Sequence, residues 1–326
     1  MSLRNLGGYV SAAYNPLAAN LGQPVFYNAN LNAIFAFGYV GAPTAGPTSI
    51  SSLVSSTGVM AADTAGVGTA RYYGGATGYG TDKAVIAFGN TVTGAITNLS
   101  NLVSNTGVVA TDTAGVGTVR NATSGAVYGL DKGIFVYGYN NTLSYISFSN
   151  LVSNTGVIAT DTTGVGTAKG YDNSASYGYD KAIFGSGSTI FSLPATVNLV
   201  SNAGVVASNT TTTSQFMYNG GAAGYGSDKA IFAYGGKEGV GGYWNERTLI
   251  SNTGVVGADQ AGVGTVRVGP AAAGYGLDKA IFGFGLSSDG SNPLAVTNLV
   301  SNTGVVAGDT AATGVARAWC MAASYN

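Results

Sequence analysis

No histidine occurs in the chain, and cysteine occurs once, at Cys320. The first absence removes the commonest general base, the commonest metal ligand and the usual partner of a nucleophilic serine or cysteine. Most hydrolytic and metal-dependent mechanisms are thereby disfavoured, and neither catalysis nor a cofactor is expected. A single cysteine excludes an internal disulfide framework. Charge is scarce too: 13 basic and 14 acidic residues make up 8 % of the chain, against roughly 25 % in an average soluble domain. So few cations cannot line a nucleic-acid groove, and nucleic acid is not expected as a partner. No apolar stretch of about 18 residues appears, and the opening MSLRNLGGYVSAAYNPLAANLGQPV has one Arg and no apolar core of leader length. Neither membrane insertion nor export by a classical signal is expected.

What abounds is glycine, 52 residues of it, in a chain that is still 45 % hydrophobic with a mean hydropathy of +0.23. Disordered glycine-rich chains lack the apolar surface to collapse, whereas this one has it and is expected to fold. Repetition accounts for the glycine. The runs DKAVIAFG, DKGIFVYG, DKAIFGSG, DKAIFAYG and DKAIFGFG begin at Asp82, Asp131, Asp180, Asp228 and Asp278, spaced by 49, 49, 48 and 50 residues. NAIFAFG from Asn32 is a sixth copy without the Asp-Lys pair. A second run, of the type SNLVSNTGVVATDTAGVGTVR, alternates with the first and ends at Arg71, Arg120, Lys169, Met217, Arg267 and Arg317.

Each unit reads as four short strands: a small apolar one, a turn at GxDK, an apolar aromatic one, a variable loop, a third ending in NLVS, a turn at NTG, and a fourth. Four strands in a unit of this length make a propeller blade, and the frequent glycines argue against helix. The order of Arg, small apolar strand, turn, aromatic strand ending in Gly, loop, strand and Thr-Gly turn resembles the kelch repeat of β-propellers, from Asn32 to Asn326. Two features depart from it. The Gly-Gly doublet is here an aromatic-x-Gly, and the usual Trp after the turn is Val108, Val157, Val205, Val255 or Val305, which predicts smaller contacts between blades. The wording YGxDKAIFGYG with NLVSNTGVVATDTAGVGTAR also resembles kelch-like proteins of aquatic tailed bacteriophages. That resemblance implies a virion component, made in the host cytoplasm and released by lysis.

The expected fold is therefore all-β: a six-bladed kelch-like β-propeller over residues 29–326 with four antiparallel strands per blade. The chain ends on RAWCMAASYN, whose Arg317-to-Tyr325 spacing equals that of Arg71 to Tyr79 and Arg120 to Tyr128. Residues 317–326 are thus expected to supply the missing first strand of the blade that begins near Leu31. Residues 4–15 also resemble such a strand and compete for the role, and 1–28 is expected to act as an anchoring arm.

The loops after the aromatic strand differ in every unit and should share one face, the usual way a rigid scaffold presents a binding surface. Tyr139, Asn140, Asn141, Tyr145, Phe191, Lys237, Glu238, Tyr243, Trp244, Asn245, Glu246 and Arg247 are the candidates there, since aromatic faces beside amides suit sugars or protein hot spots. The opposite face should carry the Asp-Lys turns as solvated pairs. A further pairing is expected between residues eight apart: Asp63 with Arg71, Asp112 with Arg120, Asp161 with Lys169, Asp259 with Arg267 and Asp309 with Arg317. The fourth unit has Asn209 and Met217 at these positions, as though both members were lost together. Cys320 is expected to be a buried small hydrophobe.

The function expected from these residues is a non-enzymatic structural or attachment component of a phage virion, in the tail or another exposed accessory and present in several copies. It would contact other virion proteins and meet a host-surface glycan or receptor. The alternative is a soluble carbohydrate-binding or adhesion propeller outside any particle.

Overall fold

The structure, a computed structural model, describes residues 31–142, 144–185, 187–189, 195–214, 217–237 and 242–326. The expected 1–28 arm and the competing strand at 4–15 lie outside them. The described residues form a six-bladed β-propeller without helices, six sheets around one axis. Blade 1 combines Asn32–Val54 with the end of the chain, and blades 2 to 6 begin at Arg71, Arg120, Lys169, Met217 and Arg267. Within a blade the inner strand (Gly75–Tyr79 in blade 2) pairs with the aromatic strand (Lys83–Thr91), which pairs in turn with the third (Ile96–Val103). The outer edge is a short strand in blades 4 to 6 and isolated bridges such as Ser100 to Thr113 in blades 1 to 3.

The aromatic strand is apolar throughout because both its faces are covered. Successive side chains point to opposite faces, so Ile86 packs with Ile34 and Ala36 of blade 1 while Val85 and Ala87 pack with Phe135 of blade 3. The same strand carries a bulge between Ala87 and Gly89, repeated in blades 1 and 5. At the bulge Phe88 adopts φ 67° and Gly89 φ 114°. A Cβ on Gly89 would stand 2.6 Å from the Tyr72 carbonyl oxygen, which explains the aromatic-Gly signature.

Two closed rings of backbone hydrogen bonds run around the axis. On the side of the variable loops, Ala122 N–H donates to Tyr73 O, Tyr171 to Ala122, Asn219 to Tyr171, Gly269 to Asn219, Trp319 to Gly269 and Tyr73 to Trp319, at 2.7–3.3 Å. All six residues have φ between 50° and 65°. On the opposite side Gly80 donates to Asp131 O, and the series continues blade by blade to Gly276 on Leu31 O and Asn326 on Asp82 O, at 2.7–3.0 Å. Both rings are closed by blade 1, where Met321–Tyr325 pairs antiparallel with Asn32–Val40 from Met321↔Ala36 to Tyr325↔Asn32. The carboxyl-terminal strand therefore closes the propeller.

The valines after the Thr-Gly turns are not contacts between blades. Val59, Val108, Val157, Val205, Val255 and Val305 are 60–66 % exposed. The contact expected of them is made by a tyrosine of the preceding blade: Gly156, at φ 82°, would place a Cβ 2.7 Å from the Tyr79 ring, and Gly204 bears on Tyr128 in the same way. Gly156→Ala is expected to cost about 1–2 kcal/mol for the left-handed backbone alone, read as a lower urea midpoint with an unchanged m-value.

Candidate binding face

Five of the six blades hold a cation at their first residue, blade 5 having Met217 there, and four of the expected ion-pair carboxylates do bind an Arg, though not the one eight residues on. Arg71 pairs with Asp112 at 3.7 Å, Arg120 with Asp161 at 3.6 Å, Arg267 with Asp309 at 4.0 Å and Arg317 with Asp63 at 2.9 Å. The expected register is corrected by one unit for a geometric reason. Each Asp sits on the outer edge of a blade, and the chain eight residues later has already crossed into the next blade. The partner within reach is the Arg that opened the Asp's own blade.

An amide lies between the two charges. Arg71 Nη2 donates to Asn101 Oδ1 at 2.5 Å, and Asn101 Nδ2 donates to Asp112 Oδ1 at 2.9 Å. Asn150 and Asn298 do the same in blades 3 and 6. The signal for these residues was an Asn recurring eleven positions before Asp112, Asp161 and Asp309, and before Asn209. The Asp also grips the segment that enters its blade, since Thr69 N–H and Oγ1 donate to Asp112 at 2.9 and 2.6 Å. On its other side the buried guanidinium lies over the bulge aromatic of the preceding blade, Arg71 4.2 Å from the Phe37 centroid and Arg120 4.0 Å from Phe88.

The fourth unit did not lose one pair; it lost halves of two. Asn209 stands where the carboxylate of Lys169 would be, and Asn198 bridges them, accepting from Lys169 Nζ at 3.0 Å and donating to Asn209 Oδ1 at 2.9 Å. Met217 stands where the cation of Asp259 would be, and that carboxylate is held by Thr248 at 2.8 Å and by Ser214. Lys169 has a substitute countercharge in Asp172, fully buried three residues on. Burial pushes the Asp172 carboxyl up and the Lys169 ammonium down, each partly restored by the other.

These groups give the stability two pH dependences of opposite sign. Partial burial pushes Asp112 up, but hydrogen bonds from Thr69 and Asn101 with the charge of Arg71 outweigh it and leave the group below its ordinary 3.8. Asp161 and Asp309 follow. Their stabilisation is present above the unfolded value and is lost as the pH falls below about 4. Burial raises Asp172 above its ordinary 3.8, so it takes up a proton on folding and makes stability fall as the pH rises above about 4. Thermal unfolding across pH 3–8 is expected to show both limbs, with Asp172→Asn flattening the upper one alone.

The variable loops lie on the face where the first hydrogen-bond ring surrounds the axis, and the Asp-Lys turns lie on the other. The latter are local pairs, Lys83 to Asp82 at 2.6 Å and Lys132 to Asp131 at 2.7 Å, with half-exposed lysines. On the loop face Tyr139 and Tyr145 flank a tight turn and meet edge-to-face at 5.1 Å, while Asn140 Oδ1 accepts from Thr142 and Ser144 within the same turn and Asn141 is exposed. Lys237 forms an ion pair with Glu246 and lies 5.1 Å from the Trp244 centroid. Asn245 and Arg247 are framework residues, donating to Gly264 O and Ala261 O at 2.6 Å. Tyr243 packs against Val268, Leu286 and Ala318. Phe191 and Glu238 lie outside the described residues.

The structure also gathers aromatics that the loop comparison missed. Tyr73 lies across the axial mouth, 4.7 Å from Trp319 and 5.1 Å from Tyr171, and its hydroxyl meets Asn219 of the diametrically opposite blade. Tyr72 continues the cluster to Tyr39 at 5.3 Å. The signal was the pair of residues after each blade's opening residue, which reads YY, NA, GY, YN, VG and AW in a chain that otherwise repeats itself. Cys320 sits beside this cluster, and burial pushes its thiol up, as befits an inert packing residue. Among the described residues no three His, Cys, Asp or Glu side chains group as metal ligands, and no helix is long and apolar enough to cross a membrane. No protein-family model matches the chain, and no curated protein resembles it in sequence.

Proposed function

We propose that this protein is a non-enzymatic attachment component of a phage virion, whose variable face meets a neutral host-surface glycan or receptor. Other virion proteins would hold it through the uniform face or the 1–28 segment, in several copies. The observation that carries the reading is the contrast between the two faces. The Asp-Lys turns are nearly the same in blades 2 to 6 and the turns ending in Gly before the exposed valine nearly the same in all six, whereas the loops and the axial mouth differ in each and concentrate aromatics beside amides. Such a division separates scaffold from recognition surface. The resemblance of the repeat wording to kelch-like proteins of aquatic tailed phages supports the virion part of the reading.

The test is mass spectrometry of purified particles, together with competition between the purified protein and particles for host cells. Recovery of the protein in stoichiometric amount and blocked adsorption are the expected results. Cell binding by a protein absent from particles favours the soluble adhesion reading instead, and binding to neither overturns both.

A further inference from the structure

We propose that the aromatic patch at the seam of blades 1 and 2, beside the axial mouth on the loop face, is a subsite for one neutral pyranose ring, seated against Tyr39, Tyr72 and Trp319 and hydrogen-bonded by Asn90. The inference rests on the glycan reading above and goes beyond it by placing the sugar on one blade seam, away from the loop tips.

The three aromatics come from two blades and form a continuous half-buried patch. Tyr39 stands edge-on to Tyr72 at 5.3 Å and to Trp319 at 5.8 Å, and Tyr72 lies 5.8 Å from Trp319 with the planes inclined by 37°. Tyr73 packs against Tyr72 at 5.1 Å and Trp319 at 4.7 Å. Blades 3 and 6 carry no aromatic at the positions matching Tyr72 and Trp319, which are Asn121 and Ala122 in one and Val268 and Gly269 in the other, and blades 4 and 5 carry one each, Tyr171 and Tyr218. The geometry of the patch depends on one of those small residues, because a Cβ on Gly269 would stand 2.3 Å from Trp319 Cδ1.

Asn90 is the residue directly opposite Tyr72 across the strand pair. Asn121 Nδ2 donates to Asn90 Oδ1 at 2.9 Å, which fixes the amide and turns its own NH2 group away from Asn121. A donor held beside an aromatic edge suits a hydroxyl on the rim of a ring whose C–H face lies on the aromatics. All four side chains are uncharged, and Asp172, which lines the neighbouring axial cavity, is buried. An uncharged, hydroxyl-rimmed ligand with one apolar face meets these conditions; an acidic sugar or a basic peptide does not.

The experiment is calorimetric titration of the full chain with neutral malto-, cello-, galacto- and manno-oligosaccharides, with indole emission followed in parallel. One series is expected to bind saturably and to shift the emission, and Trp319→Phe is expected to remove the shift. Tyr72→Ala and Asn90→Ala should each weaken binding about tenfold or more, with melting temperatures reported for both. If Tyr72→Ala fails to fold, Asn90→Ala alone decides. Binding that survives Asn90→Ala and leaves the emission unchanged overturns this subsite while keeping the glycan reading. Host-cell binding with no response to any series overturns the neutral-sugar subsite and leaves a protein receptor; no binding of either kind removes the parent reading as well.

Discussion

Deletion of residues 317–326 is expected to leave a chain with no cooperative unfolding transition. These residues are the whole inner strand of blade 1, and Met321 and Tyr325 are buried in the seam with blade 2. Burying two such side chains contributes about 1.5–3 kcal/mol each. Arg317, fully buried, donates to Phe35 O at 3.1 Å, Ser52 Oγ at 2.8 Å and Asp63 at 2.9 Å. Breaking a buried pair of this kind costs about 3–5 kcal/mol more. The sum, about 6–11 kcal/mol, matches the total margin of about 5–15 kcal/mol typical of a folded protein. Both axial rings would open as well, and Asn32–Val40 would become a bare apolar edge, the kind of strand that templates aggregation. Far-ultraviolet circular dichroism and urea titration of the truncated chain check this. A sharp transition near the wild-type midpoint would mean that another segment closes the ring.

Arg120→Ala is expected to destabilise by about 3–5 kcal/mol, because it strands a carboxylate and removes a guanidinium that fills the space between two blades. Arg120→Met should cost less, as blade 5 already places Met217 at the same position and holds its carboxylate by hydroxyls. A double-mutant cycle identifies the partner. Arg120→Met with Asp161→Asn should show a coupling of about 0.5–3 kcal/mol, and Arg120→Met with Asp112→Asn should add within about 0.5 kcal/mol. The reverse pattern would restore the pairing of residues eight apart.

The propeller was legible because the repeat states it six times: period, turns and aromatic strand all point to one blade. The closing strand was legible too, since Arg317 to Tyr325 copies a spacing found in complete blades. Residue spacing misled where the chain crosses between blades. Asp112 and Arg120 are close in sequence but separated by that crossing, whereas Asp112 and Arg71 are brought together by the breadth of one sheet. The valines misled for a similar reason, as a position matched to a bulky core residue here lies on the outer side of a hairpin. Tyr72, Tyr73 and Trp319 escaped notice because they sit at strand ends inside the repeat, where attention to loop lengths does not reach. Their convergence is a property of the ring, to which each blade adds one or two residues.

The split construction of blade 1 has a kinetic consequence. Five blades assemble from contiguous chain, and their bonds join residues such as Thr69 and Asp112, 43 positions apart. Blade 1 must bring Arg317 to Phe35, a separation of 282. On a loop-closure scale the longer search costs roughly 1.7 kcal/mol more, and contacts of long sequence range are the slow ones. The encounter of the two chain ends is therefore expected to be the slow step in closing the ring.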